Sequence, residues 1–391
     1  MLWYTDKDNN SLYEISIGSE NGSVEANTNG SGMFAYLDNV STLDLSGLDT
    51  SNMTSMSKMF YNSKSLTNID TSGFDTSKVV NMNGMFWGCN NLKNIDVSNF
   101  KTSKVIDMNN MFADCSSLTT LDLSNFDTSN VLYMGNPYSF SYGGMFRNCS
   151  SLTNLNISSF NTSKVKQMSN MFSGCSSLVT LDLSNFDTSN VTAMSSMFEK
   201  CTSLKNLNLS SFNTSKITSM NVMFGDCESL TSLDLSSFDT SNVTNMGSTF
   251  QNCNSLISLD LSNFNTGKVT TMSQMFRSCH SLTNLNLSGF DTSSVTSTWY
   301  MFRDCDKLTE LDLSSFNTSK VTTMGTMFGN CTTLKTIYVS ELWDVSNVPS
   351  SDSIFYNCQS LVGAVSYDRT KTDKTMANYT TGYLTYKKNT N

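Results

Sequence analysis

The chain has 391 residues, with 24 Lys and Arg against 33 Asp and Glu, a net charge of −9 and a single histidine. So acidic a chain lacks the basic footprint that gripping nucleic acid requires. No apolar run approaches the roughly 18–20 residues of a membrane span, so membrane insertion is not expected.

Residues 1–32 carry no repeated motif and are expected to form an N-terminal cap. The first ten have neither a basic stretch nor an apolar one, so no signal peptide is expected there. From Met33-Phe34 onward a unit recurs. Cysteine is its ruler: Cys149, Cys175, Cys201, Cys227, Cys253, Cys279, Cys305 and Cys331 follow one another every 26 residues, as do Cys89 and Cys115. Self-similarity at such a period marks a solenoid, whose stacked units share one core. A paired apolar core position recurs twelve times, from Leu43/Leu45 to Ile337/Val339, broken only at Ile69/Thr71. Residues 33–362 are therefore expected to form about twelve coils.

Within one coil, Thr120-Leu121-Asp122-Leu123-Ser124 alternates polar and apolar, which predicts a short strand with both leucines inward. An Asp/Asn-Thr-Ser group follows and reads as helix N-cap residues. Val191, Met194, Met197, Phe198 and Cys201 then fall at i, i+3, i+6, i+7 and i+10, which predicts a helix of two to three turns. The expected architecture is an α/β solenoid of leucine-rich-repeat type: a right-handed superhelix with a parallel sheet on one face, short helices on the other, and caps at both ends. Twelve strands about 4.8 Å apart would make a sheet of roughly 55 Å. The two prolines, Pro137 and Pro349, spare the central sheet.

The gap from Cys115 to Cys149 is 34 residues, eight more than the period, and locates an insertion at 135–142. Leu37 and Ser63 stand where later coils have cysteine. After residue 362 the pattern is lost, and 363–391 are expected to form a C-terminal cap.

The unit Met-Phe-x-x-Cys-x-Ser-Leu-x-x-Leu-Asp-Leu-Ser-x-Phe-Asp-Thr-Ser-x-Val-Thr-x-Met closely resembles the BspA-like leucine-rich repeat of bacterial surface proteins. The stretch from Tyr367-Asp368 to Gly382-Tyr383 resembles that family's usual ending, and the likeness runs from about Trp3 to Tyr386. It implies a secreted or surface-attached protein that binds host or matrix partners. No Leu-Pro-x-Thr-Gly wall-anchor motif accompanies it in this chain.

Three residue classes invite a sharper reading. Stacked cysteines about 5 Å apart lie within disulfide reach, but ten in one column would pair ambiguously, and a ladder of small buried thiols is the plainer expectation. Zinc needs close Cys pairs or added His, which are missing, and His280 stands alone. The methionines fall in two columns, one containing Met194 and the other Met197, as packing filler. The outward strand column alternates acidic coils (Asp122, Asp182, Asp234) with amide coils carrying one Lys (Asn156 with Lys164, Asn208 with Lys216). Like charges face to face destabilise a sheet, so the alternation is expected to relieve repulsion. A calcium column is the alternative.

With no phosphate loop and no coherent Ser/His/Asp set, an enzyme is not expected, nor is a cofactor. Candidate contacts lie where the repeat breaks: Tyr133, Tyr138, Phe140 and Tyr142 around the insertion, and Trp299-Tyr300, where small residues usually stand. The expected function is binding of an extracellular protein or glycan at a cell surface. The alternative is a part of a larger assembly such as a phage tail fibre or virion decoration, and a glycan-processing enzyme is a weaker third.

Overall fold

The computed structural model describes residues 2–5, 11–18, 22–136, 143–349 and 352–389. It divides into two compact units, Met1–Ala193 and Met194–Asn391, each a stack of coils that advance by one repeat.

Strands form at ten of the twelve expected positions; among the described residues Ile95/Val97 and Leu233/Leu235 carry none, and the strands fall into sheets of two to four, not one continuous sheet. In the first unit, β1 (Leu2–Thr5) pairs antiparallel with β2 (Tyr13–Ile17). Farther on, β3 (Val24–Glu25), β4 (Val40–Asp44), β5 (Leu48–Asp49) and β6 (Asn68–Asp70) follow, with β2–β4–β6 parallel and β3 parallel to β5. β7 (Thr120–Asp122) pairs with β8 (Asn154–Asn156) so that Leu121 faces Leu155, which keeps the register across the insertion; β9 (Thr180–Leu181) comes next. The second unit contains β10 (Asn206–Leu207), the parallel pair β11 (Ser258–Asp260) and β12 (Asn284–Asn286), and the parallel trio β13 (Glu310–Leu313), β14 (Thr336–Val339) and β15 (Thr385–Tyr386). Along each coil the leucines are inward, as at Leu121 and Leu123, while Thr120 and Asp122 are exposed.

The expected short helices do not form. Among the described residues the one helix is a single 3₁₀ turn, Lys374–Met376. Consecutive four-residue turns take the helices' place. Met59 N–H bonds Met56 O at 3.2 Å and Ser63 N–H bonds Phe60 O at 3.2 Å. Their third residues, Lys58 and Asn62, have φ of 56° and 54°, the left-handed region that closes a turn and ends an α-helix. The intervening N–H groups leave the coil: Lys58, Phe60 and Asn62 donate to Asn83, Met85 and Trp87 of the next coil at 2.7–2.8 Å. A helix would keep those donors at i−4. The chain gives them to its neighbour, so these turns are hydrogen-bonded from one coil to the next. The Asp/Asn-Thr-Ser groups likewise cap no helix. Asp127 Oδ1 accepts the N–H of Ser129 at 3.0 Å, an Asx turn at a coil corner.

Columns of identical side chains fill the interior. In the first unit the rings of Phe60, Phe86 and Phe112 stack at 5.4–5.5 Å. In the second, Phe224 through Phe355 repeat the arrangement, and Tyr383 meets Phe355 edge-on at 5.3 Å. A fully buried side chain of this size contributes about 1.5–3 kcal/mol, but only when a neighbouring coil covers it, so coils stabilise one another. Buried threonines tie the corners. Thr76 Oγ1 donates to Lys101 O at 3.0 Å and accepts from Lys101 N–H at 2.7 Å.

All eleven cysteines are buried free thiols. Thiols bond the carbonyl of a phenylalanine one coil back: Cys89 Sγ donates to Phe60 O at 3.2 Å and Cys253 Sγ to Phe224 O at 3.2 Å, while Cys358 Sγ reaches both Phe328 O at 2.9 Å and Tyr356 O at 3.8 Å. Burial raises the thiol pKa, to about 12 at Cys89, Cys149 and Cys279.

Candidate functional site

The strand face is polar and open, and its side chains serve the coil itself. Asp122, Asp182 and Asp234 each accept the backbone N–H of the serine two residues on at 2.9 Å, which holds their carboxyls below the usual carboxylate range. Asn156 and Asn208 make the same turn with Ser158 and Ser210 at 3.2 and 3.0 Å, so Asp and Asn are geometrically interchangeable there. The alternating lysines reach sideways. Lys164 Nζ donates to Asn130 Oδ1 at 2.6 Å and lowers the pKa of Asp127 on that coil, after the Ser129 hydrogen bonds. Lys268 does the same to Asn242 and Asp239. Among the described residues no three His, Cys, Asp or Glu side chains converge to hold a metal ion.

The opposite edge, formed by the Met-x-x-Met and Phe-x-x-Cys turns, carries the unusual side chains. The two middle residues of each turn are mostly small, and in several coils they are buried, as at Asn109, Asn110, Ser169 and Asn170. In the first unit Tyr36, Tyr61 and Trp87 replace them. Tyr36 is 62% exposed and meets Tyr61 edge-on at 5.3 Å; Tyr61 meets Trp87 at 4.9 Å. Lys58 Nζ lies 5.5 and 5.9 Å from the two ring centres, within cation–π range. Asp114 fixes the far end, accepting from Trp87 Nε1 at 2.7 Å, Arg147 Nη2 at 2.9 Å and Asn148 Nδ2 at 2.7 Å. Sequence reasoning missed this cluster because it tracked buried columns. The available signal was that Tyr61 and Trp87 both directly follow a Met-Phe pair, one period apart.

In the second unit, Trp299 and Tyr300 come together as a stacked pair, ring centres 3.8 Å apart and 21° from parallel. Trp299 is 40% exposed. The guanidiniums of Arg303 and Arg277 lie 4.7 and 5.6 Å from the Tyr300 ring centre. Tyr300 occupies the left-handed turn position at φ 57°, strained for a bulky residue. Gly325 of the next coil lies so close that a Cβ there would stand 3.2 Å from Trp299 Cδ1.

At the insertion, Gly135 and Gly144 bridge antiparallel and close its base. A Cβ on Gly135 would come within 2.4 Å of Ser169 N, and one on Gly144 within 2.1 Å of Asn170 O, so the next coil's backbone demands glycine at both. Tyr133 is half-buried, bridged between Asp107 and Gln167. Tyr138, Phe140 and Tyr142 lie outside the described residues. Beside Tyr133 runs an apolar ladder in which Ile106 N–H bonds Val80 O and Leu132 N–H bonds Ile106 O, both at 2.9 Å; Val80 and Ile106 are 41% and 42% exposed.

Parallel strands one repeat apart, leucines inward and a turn-built outer edge define a leucine-rich-repeat solenoid. The sequence matches the family described as "Mycoplasma protein of unknown function, DUF285" over residues 28–142, 140–259, 218–340, 250–367 and 283–390. The chain belongs to that family, and its repeat is of the BspA-like leucine-rich type. Among solved structures it is similar to a leucine-rich repeat protein from Bacteroides ovatus, at 18% identity, 99% and 98% coverage of the two chains and a TM-score of 0.50. A leucine-rich repeat protein from Eubacterium ventriosum matches at 15% identity, 95% and 92% coverage and a TM-score of 0.37. No curated protein sequence matches.

Proposed function

We propose that this chain is a non-catalytic binding scaffold that works outside the cell, on a bacterial surface, and recognises an extracellular protein or glycan. The observation that carries the reading is how the polar groups are used. The strand-face carboxylates and amides are committed to the coil's own turns, whereas aromatic and cationic side chains gather at the turn edge, exposed at Tyr36, Lys58 and Trp299 and half-buried at Trp87, Arg277 and Arg303. Exposed Trp, Tyr and Arg are the residues that dominate recognition surfaces. In this reading residues 1–32 and 363–391 cap the solenoid, and the insertion at 135–142 adds a further contact. The kinship with leucine-rich-repeat proteins supports a scaffold, and among the described residues no helix is long and apolar enough to cross a membrane.

The test is an array of matrix proteins and glycans probed with the full chain, repeated with Trp87→Ala and Trp299→Ala. Binding that falls with either substitution supports the scaffold reading. Turnover of an arrayed glycan, or binding unchanged by both substitutions, would overturn it.

A further inference from the structure

We infer that Arg277, Arg303, Trp299 and Tyr300 form a site for an anionic saccharide, a sugar bearing a carboxylate or a sulfate. The inference rests on the scaffold reading and gives it a ligand class. The first observation is the rarity of arginine. The chain has four, and three of them, Arg147, Arg277 and Arg303, directly follow a Met-Phe pair. Two stand in consecutive coils, one repeat apart.

Their charges are unequally answered. Arg303 Nε lies 3.2 Å from Asp304 Oδ2, while Asp304 Oδ1 is occupied by Asn330 Nδ2 at 2.6 Å. Arg277 donates through Nη1 to a neutral acceptor, Gln274 Oε1 at 2.9 Å, and among the described residues no carboxylate lies within ion-pair distance of it. In a chain of net charge −9 an unanswered guanidinium is conspicuous. A guanidinium carries five N–H donors in a planar fork suited to carboxylate and sulfate oxygens. Both guanidiniums lie close to one ring centre, at 4.7 and 5.6 Å, so the two like charges repel, and an anion bound beside them relieves that repulsion.

The aromatic half selects the class. Trp299 lies flat on Tyr300 and is substantially exposed, so the site presents a face and not a pocket. The C–H face of a pyranose packs on such a ring while its acidic group reaches the arginines. An acidic peptide would use the arginines and leave the indole idle. Tyr300 holds a backbone position where Gly or Asn costs less, so its ring is retained against local strain.

The experiment titrates the full chain with an oligogalacturonate, a dextran sulfate fragment, neutral dextran and a poly-glutamate peptide, by calorimetry at low salt. Binding of the oligogalacturonate or the dextran sulfate, with none to neutral dextran, is expected; which of the two binds tells carboxylate from sulfate. Arg277→Gln with Arg303→Gln is expected to weaken that binding about tenfold or more, from the loss of charge-assisted hydrogen bonds. Arg277→Lys should fall between, keeping charge but losing the fork, and Trp299→Ala should weaken the saccharide but not the peptide. Circular dichroism checks that each variant is folded, and Arg277→Lys stands in if the double variant is not. Equal binding of poly-glutamate, or saccharide binding indifferent to Trp299→Ala, overturns the inference. A matrix partner lost only with Trp87→Ala would overturn it too, and leave the scaffold reading standing.

Discussion

The hydroxyl of Ser63 donates to the carbonyl of Phe34 at 2.7 Å, the bond that the thiol of Cys89 makes to Phe60 at 3.2 Å one coil later. The receiving carbonyl in later coils already accepts an N–H from its own turn, as Phe198 O does from Cys201 at 3.1 Å. The side chain therefore takes the second lone pair and stitches two coils together. What the position requires is a small buried donor, and sulfur is one way to supply it. Cys227, which donates to Phe198 O at 3.2 Å, is the test. Cys227→Ser is expected to lose less stability in urea than Cys227→Ala, which loses the bond and leaves a small void, at a cost of about 1–2 kcal/mol. Equal losses would show that the thiol acts only by volume.

Alkali should expose the same column. Burial disfavours the thiolate and pushes the thiols of Cys89, Cys149 and Cys279 up to about 12 from an ordinary value of 9.0. A group whose pKa is raised on folding stabilises fully below the unfolded value and loses that stabilisation as the pH climbs towards the folded one. Stability is therefore expected to fall between about pH 9 and 12, and less steeply in the variant Cys89→Ser, Cys149→Ser, Cys279→Ser. Urea midpoints measured from pH 8 to 11 check this; identical slopes for the two proteins would refute it.

Much of this fold can be read from the chain. The period, the strands, the buried columns and the place of the insertion all follow from spacing, because a solenoid repeats its core. The helices were misread for a physical reason. Val191, Met194 and Met197 recur every three residues, and so do Phe198, Cys201 and Leu204. Three is the span of a four-residue turn, whereas a helix drifts at 3.6. The second signal was the residue before cysteine, Asn148, Gly174, Asp226 or Asn252, types that tolerate left-handed backbone. The contact residues were harder. Trp299 and Tyr300 stood out as breaks in a column, but Arg277 belongs to the preceding coil, and only stacking brings it to the Tyr300 ring.

The Asx turns predict a distinction between charge and geometry on the strand face. Asp234 accepts Ser236 N–H at 2.9 Å, and that bond, with the Ser236 hydroxyl, lowers its pKa from 3.8. A carboxyl depressed on folding stabilises above its unfolded pKa, and the gain is lost as the pH falls through the folded value. Asp234→Asn is expected to keep the turn at pH 7, as Asn208 does one coil earlier, and to flatten the acid limb below about pH 4. Asp234→Ala should lower the melting temperature at both pH values. A melting temperature at pH 7 as low for Asn as for Ala would show that charge, and not the turn, matters there.

Thr298 supplies the sharpest test, because two threonines in the methionine columns should respond with opposite sign. Thr298 stands in the column of Met272 and Met324, fully buried, and its Oγ1 has no hydrogen-bond partner. Thr249 stands in the column of Met223 and Met275, equally buried, but donates to Met246 O at 2.7 Å. An unpaired buried hydroxyl costs about 1–3 kcal/mol, whereas a paired one stabilises by about 1 kcal/mol. The isosteric change Thr298→Val removes the orphan and is expected to raise the urea midpoint. Thr249→Val removes a made bond and is expected to lower it. Both substitutions exchange one hydroxyl for one methyl in the same core, so burial and volume cancel in the comparison. A drop in midpoint for Thr298→Val would mean that its hydroxyl is paired after all, through a buried water in the coil that presents Trp299 and Tyr300.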